Sequence, residues 1–224
     1  MYTIRQKALP VVLITLACVA MAAVDAILQP TYAVKSAVKW LLFVLVPLLY
    51  SAWNQDISLK SLFAFRKKGI WISFAIGLGL FCAILSAYFA FSPLFDLSGI
   101  TKSLGGSLGV HAGNFIYVSL YIAVVNSFLE EFFFRGFSFL CLKAKTGRKF
   151  AFLFSAAMFS LYHAAMTIGW FSPLLLCLIL LVLFGTGLFL NYVDEKSQTL
   201  YNSYFMHMFA NFAINTIGFI LFGK

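Results

Sequence analysis

The segment SPLLLCLILLVLFGTGLFLNY, residues 172–192, contains no charged side chain. About 20 consecutive apolar residues suffice for a helix to cross the hydrocarbon core of a bilayer, so this segment predicts a transmembrane helix. The rest of the chain has the same character, since 62% of its 224 residues are apolar and 10% are charged. Soluble domains have roughly 45–50% apolar and 25% charged residues. A soluble globular protein is therefore excluded, and an integral membrane protein is predicted.

Further apolar runs predict an all-α fold, a polytopic transmembrane helix bundle of about seven spans within a range of six to eight. The predicted spans are Leu9–Leu28, Val38–Trp53, Gly69–Phe91, Asn114–Phe134, Phe150–Met166, Ser172–Tyr192 and Leu200–Phe222. We assign residues 1–110 to an N-terminal unit of three spans and residues 111–224 to a C-terminal core of four. The exterior loop from Ser92 to Gly113 is expected to be a linker or a flexible lid.

The basic residues predict which side of the membrane each loop faces. The formal net charge is +9, but no basic stripe with interleaved aromatic residues lies in a soluble segment, so nucleic-acid binding is not expected. Threading from a cytoplasmic N-terminus puts on the cytoplasmic side Arg5, Lys7, Lys60, Arg66, Lys67, Lys68, Lys143, Lys145, Arg148, Lys149 and Lys196. It puts on the exterior side only Lys35, Lys39, Lys102 and Lys224. Since cytoplasmic loops are rich in Lys and Arg, this bias predicts a cytoplasmic N-terminus.

The acidic residues number only seven, so each can be placed singly. The predicted positions are cytoplasmic loops for Asp56, Asp194 and Glu195, the exterior loop for Asp96, and a buried or interfacial place for Asp25. Glu130 and Glu131 remain, in the run FLEEFFFRG of residues 128–136. A charged side chain in hydrocarbon costs ~2.5 kcal/mol or more. These two glutamates therefore mark a candidate functional site.

The two glutamates differ in their neighbours along the sequence. Glu131 and Arg135 are four residues apart and share a helix face, which predicts an ion pair. Glu130 points about 100° away, has no cation near it in sequence and shares a face with Asn126. Such a carboxylate is a candidate general base. The alternative is that both glutamates lie at the membrane interface.

Two later spans supply further polar side chains. His163 lies in the fifth span, and His207 and Asn211 lie one turn apart in the last span. If the fourth helix continues to Lys143, then Glu130, His163 and Asn211 are each about 13 to 15 residues from a basic cytoplasmic end, which is roughly 20 Å of helix. Polar groups in hydrocarbon need partners. The side chains are therefore predicted to converge in one site.

These residues resemble the signature motifs of a known family. Glu130-Glu131-xxx-Arg135, Phe159-xxx-His163 and His207-xxx-Asn211 occur in this order in successive apolar segments. They look like the three motifs of the CPBP family, the CAAX protease and bacteriocin-processing family, also called Abi or type II CAAX endopeptidases. The resemblance covers residues 114–222. It implies an all-helical intramembrane endopeptidase with a peptide or lipidated, for example prenylated, protein as substrate, and the compact chain favours a bacterial plasma membrane.

The chemistry of the residues suggests roles that the resemblance also implies. Glu130 would take a proton from a water molecule that His163 also holds, and the water would attack the peptide bond. His207 and Asn211 would donate hydrogen bonds to the oxyanion. The remaining motif residues, Glu131, Arg135 and Phe159, would be structural supports of the fourth helix.

Metal dependence and the class of function stay open at this point. Glu130, His163 and His207 are also an acceptable three-ligand set for zinc or another divalent metal. The chain has no HExxH motif, and Arg135 would weaken Glu131 as a base, so catalysis without a cofactor is favoured. The alternative function is a non-enzymatic membrane immunity or scaffold protein that binds a peptide in the same cavity. A transporter would favour repeated halves and broken helices, and neither is evident.

Overall fold

The computed structural model describes residues 2–54, 59–65, 67–106 and 108–223. Within these ranges the secondary structure is helical and no strand occurs. Seven helices are long and apolar enough to cross a membrane. With one short helix between the third and fourth of them, the helices are α1 (Ile4–Leu28), α2 (Tyr32–Trp53), α3 (Gly69–Leu94), α4 (Ser98–Gly105), α5 (Phe115–Thr146), α6 (Arg148–Thr167), α7 (Pro173–Ser197) and α8 (Tyr201–Phe222). The predicted all-α polytopic bundle is confirmed.

The predictions for Asp56, Arg66 and Lys224, and for the side chains of Lys67 and Lys68, lie outside the described part of the chain. The bacterial membrane, the cytoplasmic N-terminus and the division at residue 110 stay predictions.

The fourth span is longer than its apolar run. Helix α5 continues past the predicted end at Phe134 as far as Thr146, and it ends at Gly147, whose φ of 92° is available to glycine at little cost. Every residue from Leu129 to Phe139 is buried. A helix segment that is buried on all sides lies inside a bundle rather than on its surface. Helix α5 is therefore the central helix.

Aromatic side chains fill the core around this central helix. Phe43 of α2 stacks on Phe133 of α5 with ring centroids 4.1 Å apart. Phe134 of α5 packs edge-on against Phe159 of α6 at 5.4 Å. Helices in a bilayer associate through close van der Waals packing and not through exclusion of water, so these ring contacts hold α2, α5 and α6 together.

The segment expected to be a linker or lid contains α4. The Asp96 carboxylate accepts a hydrogen bond from the backbone N–H of Ser98 at 2.9 Å, and this bond lowers the pKa of the Asp96 carboxyl. A Cβ on Gly99 would lie 2.6 Å from the carbonyl oxygen of Trp170. Helix α4 therefore packs closely on the turn between α6 and α7.

Several charged residues predicted in loops or at the end of a span lie within helices, including Lys143 and Lys145 in α5 and Glu195 and Lys196 in α7. Lys35 and Lys39 lie in α2 and are 7% and 3% exposed. Asp194 lies in α7 and is fully buried, because its carboxylate accepts hydrogen bonds from the Ser203 hydroxyl at 2.6 Å and the Ser203 backbone N–H at 3.2 Å. The loop predictions were wrong because both helices extend beyond their apolar runs. The Asp25 carboxylate lies close to Lys35, with its Oδ1 2.6 Å from the Lys35 Nζ.

Helices α6 and α7 approach each other at Gly187. A Cβ at this position would lie 3.0 Å from both Cα and Cβ of Ala156, whereas a Cβ on the exposed Gly185 meets nothing within 4 Å. Small residues at helix contacts in membranes allow such close approach. The pair Gly185 and Gly187 therefore offers a matched test of the packing.

We expect Gly187→Leu to destabilise the protein by about 1–3 kcal/mol, because the new side chain would push α7 away from α6. Gly185→Leu gains the same helix propensity but faces open space, so it should leave stability unchanged or slightly higher. Thermal unfolding of both variants in one detergent measures the difference. Equal midpoints for the two variants would refute the close contact.

Candidate active site

The site is built around two adjacent carboxylates in the middle of the central helix. Glu130 is 1% exposed and Glu131 is fully buried. The α-helical turns Ser127–Glu131 lie between the π-helical segments Tyr121–Asn126 and Phe132–Cys141. Widened turns of this kind often occur at functional sites. Both carboxylates are enclosed by protein, whereas their depth in the membrane stays a prediction.

Glu131 has the partner that its spacing predicts. The Arg135 Nε lies 3.3 Å from the Glu131 Oε2, and the Arg135 guanidinium lies over the Phe159 ring with its Cζ 4.1 Å from the ring centroid. The second oxygen of Glu131, Oε1, lies 2.7 Å from the Nδ1 of His207. Glu131, Arg135 and Phe159 thus form one packed group beneath the two histidines.

Glu130 has a cation partner that its sequence neighbours did not reveal. The Lys39 Nζ of α2 lies 3.0 Å from the Glu130 Oε1, and the Asn126 Nδ2 donates to the same oxygen at 2.9 Å. The Lys39 ammonium also donates to the Asn126 Oδ1 and lies 5.0 Å from the centre of the Tyr162 ring. Glu130 has no cation near it in sequence, but it is paired with a cation from another helix.

The second oxygen of Glu130 faces the two histidines. The Glu130 Oε2 lies 3.6 Å from the Nε2 of His163 and 3.8 Å from the Nε2 of His207. Among the residues that the structure describes, this oxygen accepts no hydrogen bond. The three side chains come from α5, α6 and α8, so their predicted convergence is found.

The two imidazole rings are each oriented through Nδ1. The His163 Nδ1 lies 2.8 Å from the carbonyl oxygen of Phe159, and this oxygen only accepts, so Nδ1 carries the proton. The His207 Nδ1 faces the Glu131 carboxylate in the same way. In its neutral form each ring then has a lone pair on Nε2. Both lone pairs point to the region beside the Glu130 Oε2.

Asn211 lies one turn beyond His207 and connects α8 to α5. Its Nδ2 donates to the Ser127 hydroxyl at 2.8 Å and approaches the Ile122 carbonyl oxygen at 3.4 Å. Asn215, a further turn along, donates to the Ser119 carbonyl oxygen at 2.7 Å. These bonds fix the register of α8 against α5. The role of Asn211 in holding an oxyanion stays a prediction.

Lys39 contacts Glu130 in the candidate site, and the sequence interpretation missed it. The second span was predicted to start at Val38, so Lys35 was placed in the exterior loop and Lys39 at the exterior end of the span. The run YAVKSAVKW contains no Gly or Pro, and its two lysines are spaced i,i+4 on one helix face. That spacing is the signal that the helix begins earlier and that both ammonium groups point inward.

The fit of the site to a divalent metal is weakened by Lys39. Glu130, His163 and His207 present one oxygen and two nitrogens to a common point, as zinc ligands do. The ammonium group 3.0 Å from the Glu130 carboxylate already neutralises this ligand, and a second cation would be repelled. Within the described residues, no cluster of His, Cys, Asp or Glu has the arrangement of a metal site.

Comparison with known protein families gives a match in the C-terminal part of the chain. Residues 112–213 match the sequence model of the family described as type II CAAX prenyl endopeptidase, Rce1-like. This range contains all the motif residues, and the match confirms the family resemblance predicted from them. At the family level it supports a CAAX-type intramembrane endopeptidase. No curated protein and no solved structure matches the chain.

Lys39→Met is expected to lower the free energy of unfolding by about 3–5 kcal/mol, because the Glu130 carboxylate would stay buried without its partner. The double variant Lys39→Met/Glu130→Gln removes both charges and should recover most of that loss. Thermal unfolding in a single detergent measures the two variants and Glu130→Gln.

Lys60→Met is the matched control, because Lys60 is exposed and its replacement should change the unfolding midpoint little. If the double variant were as unstable as the sum of the two single variants, Lys39 and Glu130 would not be coupled.

Proposed function

We propose that the protein hydrolyses a peptide bond of a membrane-associated or prenylated peptide or protein, with water as the nucleophile and Glu130 as the general base. The observation that carries this proposal is the arrangement around the Glu130 Oε2, which faces the Nε2 atoms of His163 and His207 at 3.6 and 3.8 Å. A carboxylate and two imidazoles directed at one point are the groups that acid–base catalysis uses.

The spacing of these atoms suits a bound water. Polar atoms 3.6–3.8 Å apart are too distant for a direct hydrogen bond, but a water oxygen at about 2.8 Å from each is within hydrogen-bond distance of both. Such a water donates one hydrogen to the Glu130 Oε2 and the other to the Nε2 of His163. Its remaining lone pair is then free to attack a carbonyl carbon.

The two oxygens of Glu130 have separate tasks in this proposal. Oε1 is held by Lys39 and Asn126, so the carboxylate cannot rotate away from the site. Oε2 is left for the chemistry. Because the Lys39 ammonium stabilises the ionised carboxylate, Glu130 is ready to accept a proton although it lies inside the membrane. Lys39 is thus a positioning residue that acts through Glu130.

In the proposed reaction, a proton removed from the attacking water is delivered to the leaving nitrogen. Glu130 takes one proton from water, and the resulting hydroxide oxygen bonds to the carbonyl carbon, whose oxygen becomes an oxyanion. The protonated His207, stabilised by Glu131, donates from Nε2 to that oxyanion, with Asn211 as the second proposed donor. The C–N bond then breaks, and the proton passes from Glu130 through His163 to the leaving nitrogen.

Glu130→Gln and His163→Ala are each expected to lower the cleavage rate by about 10²- to 10⁴-fold, because each variant lacks a group that transfers the proton. A quenched fluorescent, prenylated CAAX-type peptide in liposomes provides the measurement. Glu195→Gln is the matched control, since Glu195 pairs with Arg148 at 2.8 Å away from the site and should retain full activity.

Two outcomes would contradict the proposal. If Glu130→Gln and His163→Ala cleaved the peptide at the wild-type rate, the site would not be catalytic. If the wild type bound the peptide without cleaving it, the alternative of a peptide-binding immunity or scaffold protein would be favoured.

We also propose that the reaction requires no metal cofactor, with the Lys39–Glu130 pair as support. Wild-type protein treated with EDTA and passed into metal-free buffer should retain its cleavage rate, and elemental analysis should find less than stoichiometric zinc. Loss of activity on EDTA treatment that is restored by zinc would instead assign Glu130, His163 and His207 as metal ligands.

A further inference from the structure

Asp194 differs from the other buried carboxylates in its partners. Three buried carboxylates each have a Lys or Arg nitrogen within 3.3 Å, in the pairs Asp25 with Lys35, Glu130 with Lys39, and Glu131 with Arg135. Asp194 of α7 is fully buried as well, but among the residues that the structure describes it forms no ion pair. A buried acid without a counter-ion generally takes up a proton instead of keeping its charge.

The charged groups around Asp194 are paired with one another. From α5, which packs against α7, Glu131 and Arg135 both interact electrostatically with Asp194. These two side chains already form an ion pair at 3.3 Å. Charged groups on the other neighbouring helices also have partners, as in the pairs Arg148 of α6 with Glu195, and His207 of α8 with Glu131. An ionised Asp194 would therefore add an uncompensated negative charge beside the like charge of Glu131.

Ser203 of α8 has one hydroxyl proton and two oxygen neighbours. Its Oγ lies 2.6 Å from the Asp194 Oδ2 and 3.2 Å from the carbonyl oxygen of Leu200, which can only accept a hydrogen bond. The distance between two oxygens fits either direction of donation. If Asp194 carries a proton, it donates to Ser203 and Ser203 donates to Leu200, so both contacts are hydrogen bonds. If Asp194 is ionised, the single hydroxyl proton serves both contacts incompletely.

We propose that Asp194 is protonated in the folded protein and that Asp194 and Ser203 form a pH-sensitive clamp between α7 and α8. Ser203 lies one turn before His207 on α8, and the His207 Nδ1 lies 2.7 Å from the Glu131 Oε1. The clamp therefore holds the part of α8 that presents His207 to the candidate site. It goes beyond the proposed function, because it depends on the charge of a buried acid and not on peptide cleavage.

The clamp determines how stability changes with pH. In the unfolded chain an Asp carboxyl ionises at about pH 4, whereas Asp194 keeps its proton in the folded protein. Unfolding then releases one proton, so the unfolded state binds fewer protons and stability falls as the pH rises. One released proton makes the unfolding constant about tenfold larger for each pH unit. This fall begins above about pH 4 and ends where the folded Asp194 ionises as well.

Asp194→Asn tests the clamp, because the amide has the shape of the protonated acid, can donate to Ser203 and cannot ionise. The unfolding constants of wild type and variant are measured by SDS titration in one detergent from about pH 5 to about pH 8. Their ratio, wild type over variant, should rise about tenfold per pH unit. Asp96→Asn is the matched control. Asp96 is exposed and its hydrogen bond from Ser98 favours the ionised form, so its ratio should stay constant.

Isotope-edited infrared spectroscopy reports the charge of Asp194 without unfolding the protein. With ¹³C-labelled aspartate at neutral pH, the wild type should show a protonated carboxyl band that Asp194→Asn lacks, whereas Asp96→Asn should lack an ionised band. If Asp194→Asn did not fold, Ser203→Ala should shift the protonated band, because the acid loses its hydrogen-bond partner. Loss of an ionised band in Asp194→Asn, an unshifted band in Ser203→Ala, or a constant ratio of unfolding constants would overturn the inference.

Discussion

The arrangement of the bundle depends on the compensation of two carboxylates that lie inside the membrane. An uncompensated charge in hydrocarbon is costly, and breaking a buried ion pair by removing one partner costs more than the pair itself contributes. Glu130 is paired with Lys39, and Glu131 is paired with Arg135. Because Lys39 lies on α2 and both glutamates lie on α5, the first of these pairs also fixes the distance between two helices.

The ion pair between Lys39 and Glu130 connects the N-terminal part of the chain to the C-terminal part. The matched range, residues 112–213, contains the glutamates and the histidines, whereas Lys39 lies in the N-terminal part that the family match does not cover. The site is complete only when α2 packs on α5, which the stacking of Phe43 on Phe133 secures. The N-terminal helix α2 is therefore part of the proposed catalytic site.

Much of this arrangement could be predicted from the sequence, for identifiable reasons. Apolar runs determine helix number, and the spacing of Glu131 and Arg135 determines their pairing, because both signals are local. The convergence of three spans followed from counting the residues that separate Glu130, His163 and Asn211 from the basic ends of straight helices. Lys39 was missed because a pairing between residues 91 positions apart leaves no local pattern, and because a lysine at the edge of an apolar run is usually interfacial.

Asp194 shows the same limit near the C-terminal end of α7. Its sequence neighbours Glu195 and Lys196 are typical of a loop, but its carboxylate points inward to Ser203. Helix rotation alone decides which of the adjacent polar residues is buried. Such rotation is set by packing between helices, so it became apparent only in the folded structure.

We propose that the Lys39 ammonium keeps the Glu130 carboxylate ionised within the bundle, so that the free oxygen of this carboxylate can accept a proton. Isotope-edited infrared difference spectroscopy of protein with ¹³C-labelled glutamate measures this directly, by comparing the wild type with Glu130→Gln at neutral pH. The account predicts that the variant loses an ionised carboxylate band, and that Lys39→Met converts this band into one of a protonated carboxyl group. If Glu130→Gln instead lost a protonated carboxyl band that the wild type shows, Glu130 would be protonated in the wild type, and the proposal would be wrong.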